Sequence, residues 1–185
     1  MNNFKYIIFN KPYGVLCQFS GEDKDKTLSD FGLPKEVYPA GRLDKDSEGL
    51  LLLTNDGAFN QKLTHPKNEK SKTYHVQVEN IPNEDALKKL RDGKIKIKDY
   101  LTAPAKVKLI ETNYCERTPP IRVRKNIPDS WLEIEISEGK NRQVRRMTAA
   151  IGHPTLRLIR VKVGKYKNIN LESGAWIQVK KEDIL

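Results

Sequence analysis

The sequence has few of the residues that build metal sites and disulfide frameworks. Its 185 residues include two cysteines, Cys17 and Cys115, and three histidines, His65, His75 and His153. None of them shows the C-x-x-C or H-x-x-x-H spacing of metal ligands, and two cysteines are too few for the bridged framework of a small secreted protein. We therefore expect no structural zinc site, and free thiols in a reducing compartment.

Long hydrophobic runs are also missing. No apolar run approaches the roughly 20 residues that a transmembrane helix needs. The N-terminal stretch MNNFKYIIFNKP lacks the apolar core and the small-residue cleavage site of a signal peptide. We therefore expect a cytoplasmic protein with no membrane partner.

Charge, in contrast, is abundant and unbalanced. The chain carries 34 lysines and arginines against 24 aspartates and glutamates, which gives a formal net charge of +10. Such an excess of basic residues indicates a polyanionic partner and favours nucleic acid. A chain of this length can bury one sizeable core, so a single domain is the expected organisation.

Hydrophobic patterning predicts an α+β fold with a mixed or antiparallel sheet, because seven or more strands accompany only three or four short helices. We expect residues 55–57, Asn83 and Asn141 each to cap the helix that follows, and residues 10–14 to turn the chain out of the first strand. The predicted strands cover residues 4–9, 50–53, 72–78, 94–98 (an edge strand or hairpin arm), 106–110, 131–136, 155–163 and 176–179. The predicted helical segments cover residues 27–31, 55–63, 83–91 and 141–151.

One polar stretch is unusually specific in composition: AGRLDKDSEGLLLLTNDG, residues 40–57. Asp44 lies here between a basic residue, Arg42, and the apolar run 50–53, which is typical of a buried strand. Spacing alone allows a solvated turn between two strands, punctuated by two glycines.

The same stretch partly matches a calcium-binding loop. Asp44, Asp46, Glu48 and Gly49 occupy positions one, three, five and six of the EF-hand pattern. Position twelve, however, is Asn55 instead of the bidentate glutamate, and no helix pattern precedes the loop. We therefore reject a calcium site.

Two other segments have alternative interpretations. In the strand predicted at 72–78, the pattern alone favours Tyr74 as a core aromatic residue with a satisfied hydroxyl. The stretch NYCERTPPIRVRKNIPDS, residues 113–130, holds three prolines and several basic residues. It is either an ordinary solvated loop or, in an RNA-binding protein, an insertion that grips phosphates.

Several motifs together resemble the RsuA/RluB/E/F group of RNA pseudouridine synthases, and the resemblance runs along nearly the entire chain. They are NKPYGVL, GRLD followed by DSEGLLLLTNDG, the K-x-Y of KTY, and EGKNRQVRRM. The resemblance implies the pseudouridine synthase fold, as one catalytic domain over residues 1–185 with two lobes around a central RNA-binding cleft. Because the chain starts directly with a strand, we expect no N-terminal S4 RNA-binding domain.

The resemblance also implies the site residues. Asp44 corresponds to the catalytic aspartate, Tyr74 to an active-site tyrosine, and Arg145 to the arginine that pairs with the aspartate. Arg42 would fill the gap that a flipped-out uridine leaves in the RNA. The implied RNA-binding residues are Arg42, Lys72, Arg122, Arg124, Lys125, Arg142 and Arg146. No metal and no organic cofactor is implied.

The function implied by the resemblance is conversion of a specific uridine to pseudouridine in 23S rRNA, with the rRNA or a large-subunit assembly intermediate as substrate. We expect a monomer, because no long apolar stripe is left over for an interface. The alternative is a non-catalytic rRNA-binding or ribosome-assembly protein on the same fold. Basic charge does not separate the two. A carboxylate among phosphate-binding groups favours the enzyme, because such a group would only weaken a protein that merely held RNA. A metal-dependent nuclease would need further acids.

Overall fold

The computed structural model describes residues 3–65, 70–122, 124, 126–167 and 170–184. In that part of the chain, eleven mostly short strands accompany three α-helices, which confirms the α+β class. Two compact units are present. The first comprises Met1–Lys70 and Arg160–Leu185, and the second comprises Ser71–Ile159.

The strands and helices alternate irregularly along the chain. In order, they are β1 (Tyr6–Lys11), β2 (Tyr38–Pro39), β3 (Glu48–Thr54), α1 (Gly57–Thr64), β4 (Lys72–Glu79), α2 (Glu84–Asp92), β5 (Lys96–Ile97), β6 (Tyr100–Leu101), β7 (Lys106–Ile110), β8 (Asp129–Ile136), α3 (Gln143–Ala150), β9 (Thr155–Val163), β10 (Tyr166–Lys167) and β11 (Trp176–Gln178). Short 3₁₀ helices cover Leu28–Phe31 and Lys181–Asp183.

In the first unit, β1 lies between β11 and β3 and is antiparallel to both, with Ile8 opposite Leu52. The leucines 50–53 are all buried, which explains why this strand is a continuous apolar run without alternation. On one face, Phe59 and Leu63 of α1 pack against the sheet. Complete burial of each such side chain contributes about 1.5–3 kcal/mol, so this strand pair forms the core of the unit.

The start of α1 follows the predicted capping pattern. Asp56 accepts a hydrogen bond from the Phe59 backbone N–H at 2.9 Å, and it also accepts one from the Tyr6 hydroxyl at 2.7 Å. The backbone hydrogen bond from Phe59 is the main cause that lowers the pKa of this carboxyl. The Lys181 ammonium, 3.1 Å away, completes the set of donors. The N-terminus of α1 is thus joined through Asp56 to Tyr6 in β1 and to Lys181 in the second 3₁₀ helix.

In the second unit, β8 lies between β4 and β7 and is antiparallel to both. Val76 of β4 stands opposite Leu132 of β8, and both are completely buried. Helix α2 starts at the predicted cap, where Asn83 accepts from the Ala86 backbone N–H at 2.9 Å. Its apolar side, including Leu90, is buried as the pattern predicts.

Two predictions about segment ends are wrong. Asn10 and Lys11 belong to β1 instead of a turn, because the backbone of Lys11 still pairs with Gly49. Asn141 does not cap α3. The N-cap is Arg142, which has a left-handed backbone (φ 50°), and Asn141 instead accepts from the Arg146 guanidinium at 2.9 Å.

The predicted edge strand at 94–98 is a small hairpin in which β5 pairs with β6. Both cysteines are free thiols, Cys17 buried and Cys115 exposed. Within the described ranges, no helix has the length and apolar character needed to cross a bilayer.

Candidate active site

The loop that carries Asp44 is fixed through its backbone. Asp44 is half-buried, and its carbonyl accepts from the Ser47 N–H at 3.0 Å, which closes a turn. The Lys45 carbonyl accepts from the Gly14 N–H at 2.8 Å, so the loop is joined to the NKPYG segment. The Lys45 ammonium pairs with Asp25 at 2.8 Å. These contacts leave the Asp44 carboxylate on a rigid support.

Gly49 marks the point where this loop enters β3. Its φ of 102° is left-handed, and a Cβ there would lie 2.3 Å from the carbonyl oxygen of Arg160. Arg160 is itself buried, and its Nε donates to the Leu50 carbonyl at 2.8 Å. Only glycine allows the two backbones to approach this closely.

A buried lysine lies near the carboxylates of the same loop. Lys11 is completely buried, and its ammonium donates to the Val15 carbonyl at 2.8 Å and to the Pro12 carbonyl at 3.0 Å. Burial lowers the pKa of Lys11 to about 8, while Cys17 and nearby carboxylates, including that of Asp44, act in the opposite direction. Sequence reasoning missed this residue, although its place at the end of an apolar strand, before Pro12, was a usable signal.

The other polar residues of the loop differ in burial. Arg42 is exposed, Asp46 is half-buried and Glu48 is buried. Ser47, between the two acids, is only 1% exposed. The exposed guanidinium of Arg42 is therefore accessible for contact with a large ligand.

In the second unit, Tyr74 lies on β4 opposite Ile134 and is 8% exposed. This confirms the burial that the alternating pattern predicts. Lys72 begins the same strand, and its ammonium lies 3.4 Å from the position that a Cβ on Gly139 would take. The structure thus brings Lys72 next to the turn that joins β8 to α3.

That turn is held by a network of side-chain hydrogen bonds. The Glu138 carboxylate accepts from the Ala103 N–H at 2.8 Å and from the Gln143 side-chain amide. The Gln143 carbonyl oxygen accepts from the Lys140 N–H at 3.0 Å. Gln143 is buried, whereas Glu138 is half-buried, so the network joins the interior of the unit to its surface.

Three arginines follow from this turn. Arg142 is exposed at the N-cap, whereas Arg145 and Arg146 are half-buried on the first turns of α3. Their side chains share a helix whose other face buries Val144 and Met147. The turn therefore presents a group of guanidinium side chains from a fixed backbone.

The cationic segment between β7 and β8 holds the remaining predicted residues. Arg122 is exposed, while Arg124 lies 3.5 Å from Glu79 in an ion pair. Arg117 donates to two carbonyls of its own segment, at Pro119 and Pro120. Lys125 lies outside the described residues.

Side chains attach the start of this segment to the sheet. The Tyr114 hydroxyl lies 2.7 Å from Nδ1 of His75, and Nε2 of His75 lies 3.2 Å from Glu133. Arg157 donates to the Cys115 carbonyl at 2.8 Å. Burial alone would raise the pKa of Glu133, but hydrogen bonds from Lys108 and His75 lower it.

The predicted site residues are thus distributed over both units. Asp44 and Arg42 lie in the first. The other described residues of the predicted set lie in the second, namely Lys72, Tyr74, Arg122, Arg124, Arg142, Arg145 and Arg146. Among the residues that the structure describes, no group of three or more histidine, cysteine, aspartate or glutamate side chains could hold a metal ion.

Comparison with known proteins identifies the family. The family model described as RNA pseudouridylate synthase matches residues 5–150. The chain therefore belongs to the RNA pseudouridylate synthases, enzymes that isomerise uridine to pseudouridine, as the motifs predict. The fold prediction is confirmed by a solved structure, described as a pseudouridylate synthase, with a TM-score of 0.82 at 29% identity. That match covers 100% of this chain and 74% of the other.

Similar proteins have a more specific name. The ribosomal large subunit pseudouridine synthase E of Vibrio parahaemolyticus is 54% identical over 180 residues, which are 97% of this chain and 75% of that protein. The protein of the same name from Xanthomonas axonopodis pv. citri is 54% identical over 87% of this chain and 86% of its own length.

Proposed function

We propose that this chain converts a uridine of 23S rRNA, the large-subunit rRNA, to pseudouridine, acting on the rRNA or on an assembling large subunit. The observation that carries this proposal is 54% identity over 97% of the chain to a protein named for large-subunit pseudouridine synthesis. The net charge of +10 agrees with a polyanionic substrate. We further propose that residues 1–185 act as one catalytic domain.

The proposed reaction is an isomerisation within one nucleotide. The bond between C1′ and N1 breaks, a bond between C1′ and C5 forms, the proton at C5 is lost and N1 gains a proton. All heavy atoms are retained and there is no net redox change, so the chemistry requires no organic cofactor and no metal. What it requires is a group that stabilises or attacks the separated fragments and a group that helps to move the C5 proton.

Asp44 is the proposed catalytic carboxylate. A carboxylate can act as a nucleophile or as a charge-stabilising and proton-accepting group. The fixed backbone around Asp44 supports this role, because Ser47 and Gly14 hold the loop while the carboxylate remains half-buried. Catalytic groups act best when their supporting backbone has a single conformation.

Tyr74 and Arg145 are the other proposed catalytic residues, in the roles that the resemblance implies. Tyr74 offers a largely buried aromatic ring on a central strand, suited to stacking on a uracil, and a phenol that could assist proton removal at C5. Arg145 projects from a helix whose first turn is fixed by Gln143 and Glu138. The proposed RNA-binding residues are those of the resemblance: Arg42, Lys72, Arg122, Arg124, Lys125, Arg142 and Arg146.

Tritium release tests the proposal. Ribosomal RNA labelled at uridine C5 would be incubated with the native chain, with Asp44→Asn and with Asp46→Asn as a matched control on the same loop. We expect Asp44→Asn to lower the rate of release by about 10³-fold or more and the control to change it by less than about threefold. RNA binding, measured in parallel, should survive in both variants.

Two outcomes would contradict the proposal. A native chain that binds large-subunit rRNA and immature particles but releases no tritium would be a non-catalytic RNA-binding protein. Equal rates for the native chain and Asp44→Asn would leave the reaction in place and remove Asp44 from it.

A further inference from the structure

The β5–β6 hairpin of the second unit carries lysines at alternate positions. Lys94, Lys96 and Lys98 are all exposed, whereas Ile97 is 5% exposed and packs inward. Ile97 therefore fixes β5 to the unit, while the three lysines are exposed to solvent, Lys94 before the strand, Lys96 within it and Lys98 in the turn that follows. The sequence predicts an edge strand or hairpin arm here, and the function described above does not use it.

These lysines differ in their ion pairs from three other exposed lysines of the same unit. Lys88 pairs with Asp92, Lys106 with Glu135 at 2.7 Å, and Lys108 with Glu133 at 2.9 Å. In the described part of the chain, neither Lys94 nor Lys96 nor Lys98 forms an ion pair. Their positive charge is thus not compensated within the unit.

The backbone of the hairpin indicates that lysine is not there for conformational reasons. Lys94 and Lys98 have φ values of 60° and 52°, in the left-handed region. This conformation costs a residue other than glycine about 1–2 kcal/mol, and asparagine adopts it more readily than lysine. Residues that keep an unfavourable conformation at a surface indicate a functional requirement for the side chain.

The base of the hairpin is rigid. The Lys94 N–H donates to the Thr102 carbonyl at 2.7 Å, and the Thr102 N–H donates to the Ile95 carbonyl at 3.1 Å. A Cβ on Gly93 would lie 2.6 Å from the backbone nitrogen of Pro104, so the chain enters the hairpin through close backbone packing. The backbone that carries the lysines is therefore fixed before any ligand binds.

The hairpin lies beside the first turn of α3. The ammonium of Lys140 lies 5.7 Å from the ring centroid of Tyr100 in β6. Burial raises the pKa of Tyr100, the charge of Glu138 adds to this effect, and Arg146 opposes it, which places all three groups close together. The hairpin thus packs through Tyr100 against a turn that itself carries the basic residues Lys140 and Arg146.

We propose that the β5–β6 hairpin is a phosphate-binding arm, in which Lys94, Lys96 and Lys98 bind the backbone of substrate RNA. An array of uncompensated ammonium groups on a rigid support fits successive phosphodiesters, and it would position RNA without reading its sequence. This inference depends on the proposed function, because it takes an RNA substrate as given.

Salt-dependent binding of a large-subunit rRNA transcript tests the arm. The arm variant combines Lys94→Asn, Lys96→Gln and Lys98→Asn, since asparagine suits the left-handed positions. The control variant combines Lys88→Gln, Lys106→Gln and Lys108→Gln, which also removes three positive charges from the second unit. Lys96→Gln alone is a further variant that leaves both left-handed positions unchanged.

Each lost phosphate contact lowers the slope of log Kobs against log salt by about 0.7–0.9. We expect the arm variant to lose about 2–3 from the slope and about tenfold or more in affinity near physiological salt. Lys96→Gln should lose about 0.7–0.9 from the slope, and the control variant less than that.

Equal losses in the arm and control variants would show that only net charge matters, and would overturn the proposal. So would native-like binding by Lys96→Gln and by a folded arm variant. A native chain that binds no rRNA would instead refute the proposed function, so the two failures are distinguishable.

Discussion

The loop at residues 41–49 and the segment at residues 111–128 are both rich in charge but are held by different means. The loop is fixed by backbone, through the left-handed Gly49 and the bond from Gly14 to Lys45. The segment is attached by side chains, such as Tyr114 on His75. On the loop, Asp44 therefore stands on backbone contacts that fix its position, whereas Arg122 and Arg124 stand on a segment whose start is attached by side-chain contacts that can exchange.

The largest effect on stability should follow from breaking the backbone support. Gly49→Ala introduces a Cβ 2.3 Å from the Arg160 carbonyl oxygen at a left-handed position. We expect a loss of about 3 kcal/mol or more in the free energy of unfolding. Gly14→Ala is the control, because it is also left-handed (φ 81°) with nothing within 4 Å of the added atom. It should lose only about 1–2 kcal/mol in urea denaturation. Similar losses in both variants would show that close packing at Gly49 is unimportant.

A second prediction concerns the buried ammonium of Lys11. Its pKa is about 8 in the native chain, against 10.5 in the unfolded chain. Between these values the unfolded chain binds more protons, so raising the pH stabilises the native state. The difference of 2.5 units corresponds to about 3 kcal/mol gained between pH 8 and 10.5.

The measurement is urea denaturation across this pH range for the native chain and for Lys11→Met. The variant lacks the titrating group but keeps the other lysines and the tyrosines. The free energy of unfolding of Lys11→Met should therefore lack the rise with pH that we expect for the native chain. Parallel curves for the two proteins would mean that the Lys11 ammonium titrates normally in the folded state.

Weakening the side-chain attachment of residues 111–128 should have a smaller effect. Tyr114→Phe removes the hydrogen bond to His75 and keeps the aromatic contact with Trp131. We expect a loss of about 0.5–1.5 kcal/mol in stability. Tyr38→Phe, at a tyrosine that is 63% exposed, should change stability by less than that. Thermal unfolding of both variants would test the difference, and a Tyr114→Phe protein as stable as the Tyr38→Phe protein would contradict it.

The smallest expected effect distinguishes two arginines of that segment. Arg122 is exposed, while Arg124 lies against Glu79. Arg122→Gln should lower rRNA affinity a few-fold and reduce the salt slope by about 0.7–0.9. Arg124→Gln should lower the affinity and the salt slope by less, because the ion pair with Glu79 already compensates part of the charge of Arg124. A larger effect for Arg124 would show that its ion pair opens when RNA binds.

Sequence patterning predicts most of the fold because most elements depend on local signals. Strand β7 was predicted with the observed ends at 106–110, and β9 at 155–163, since each is a period-two pattern or an apolar run. The cap at Asn83 is likewise local. The start of α3 is not, because Arg142 takes the N-cap position in a left-handed backbone while Glu138 holds the side chain of the next residue, Gln143.

The candidate site is less predictable from sequence patterning than the fold. The motif residues are found by resemblance, and their catalytic roles remain predictions. Composition does not indicate the burial of Lys11, since lysine is by default a surface residue. The usable signal was its place at the end of an apolar strand, where the carbonyls that satisfy it, at Pro12 and Val15, are local. The pair formed by His75 and Tyr114 spans 39 residues, and no local pattern indicates it.

Glu138 also has a consequence for how this sequence can vary. One carboxylate serves the backbone of Ala103, before β7, and the side chain of Gln143, in α3. A glutamine at 138 with a glutamate at 143 could in principle make the same set of bonds with donor and acceptor exchanged. A glutamate at 143 alone would place two carboxylates together with no donor between them, whereas a glutamine at 138 alone could still accept both bonds through one carbonyl oxygen, as Oε1 of Glu138 does. The two positions are therefore expected to be epistatic: position 138 must change to glutamine before position 143 can change to glutamate.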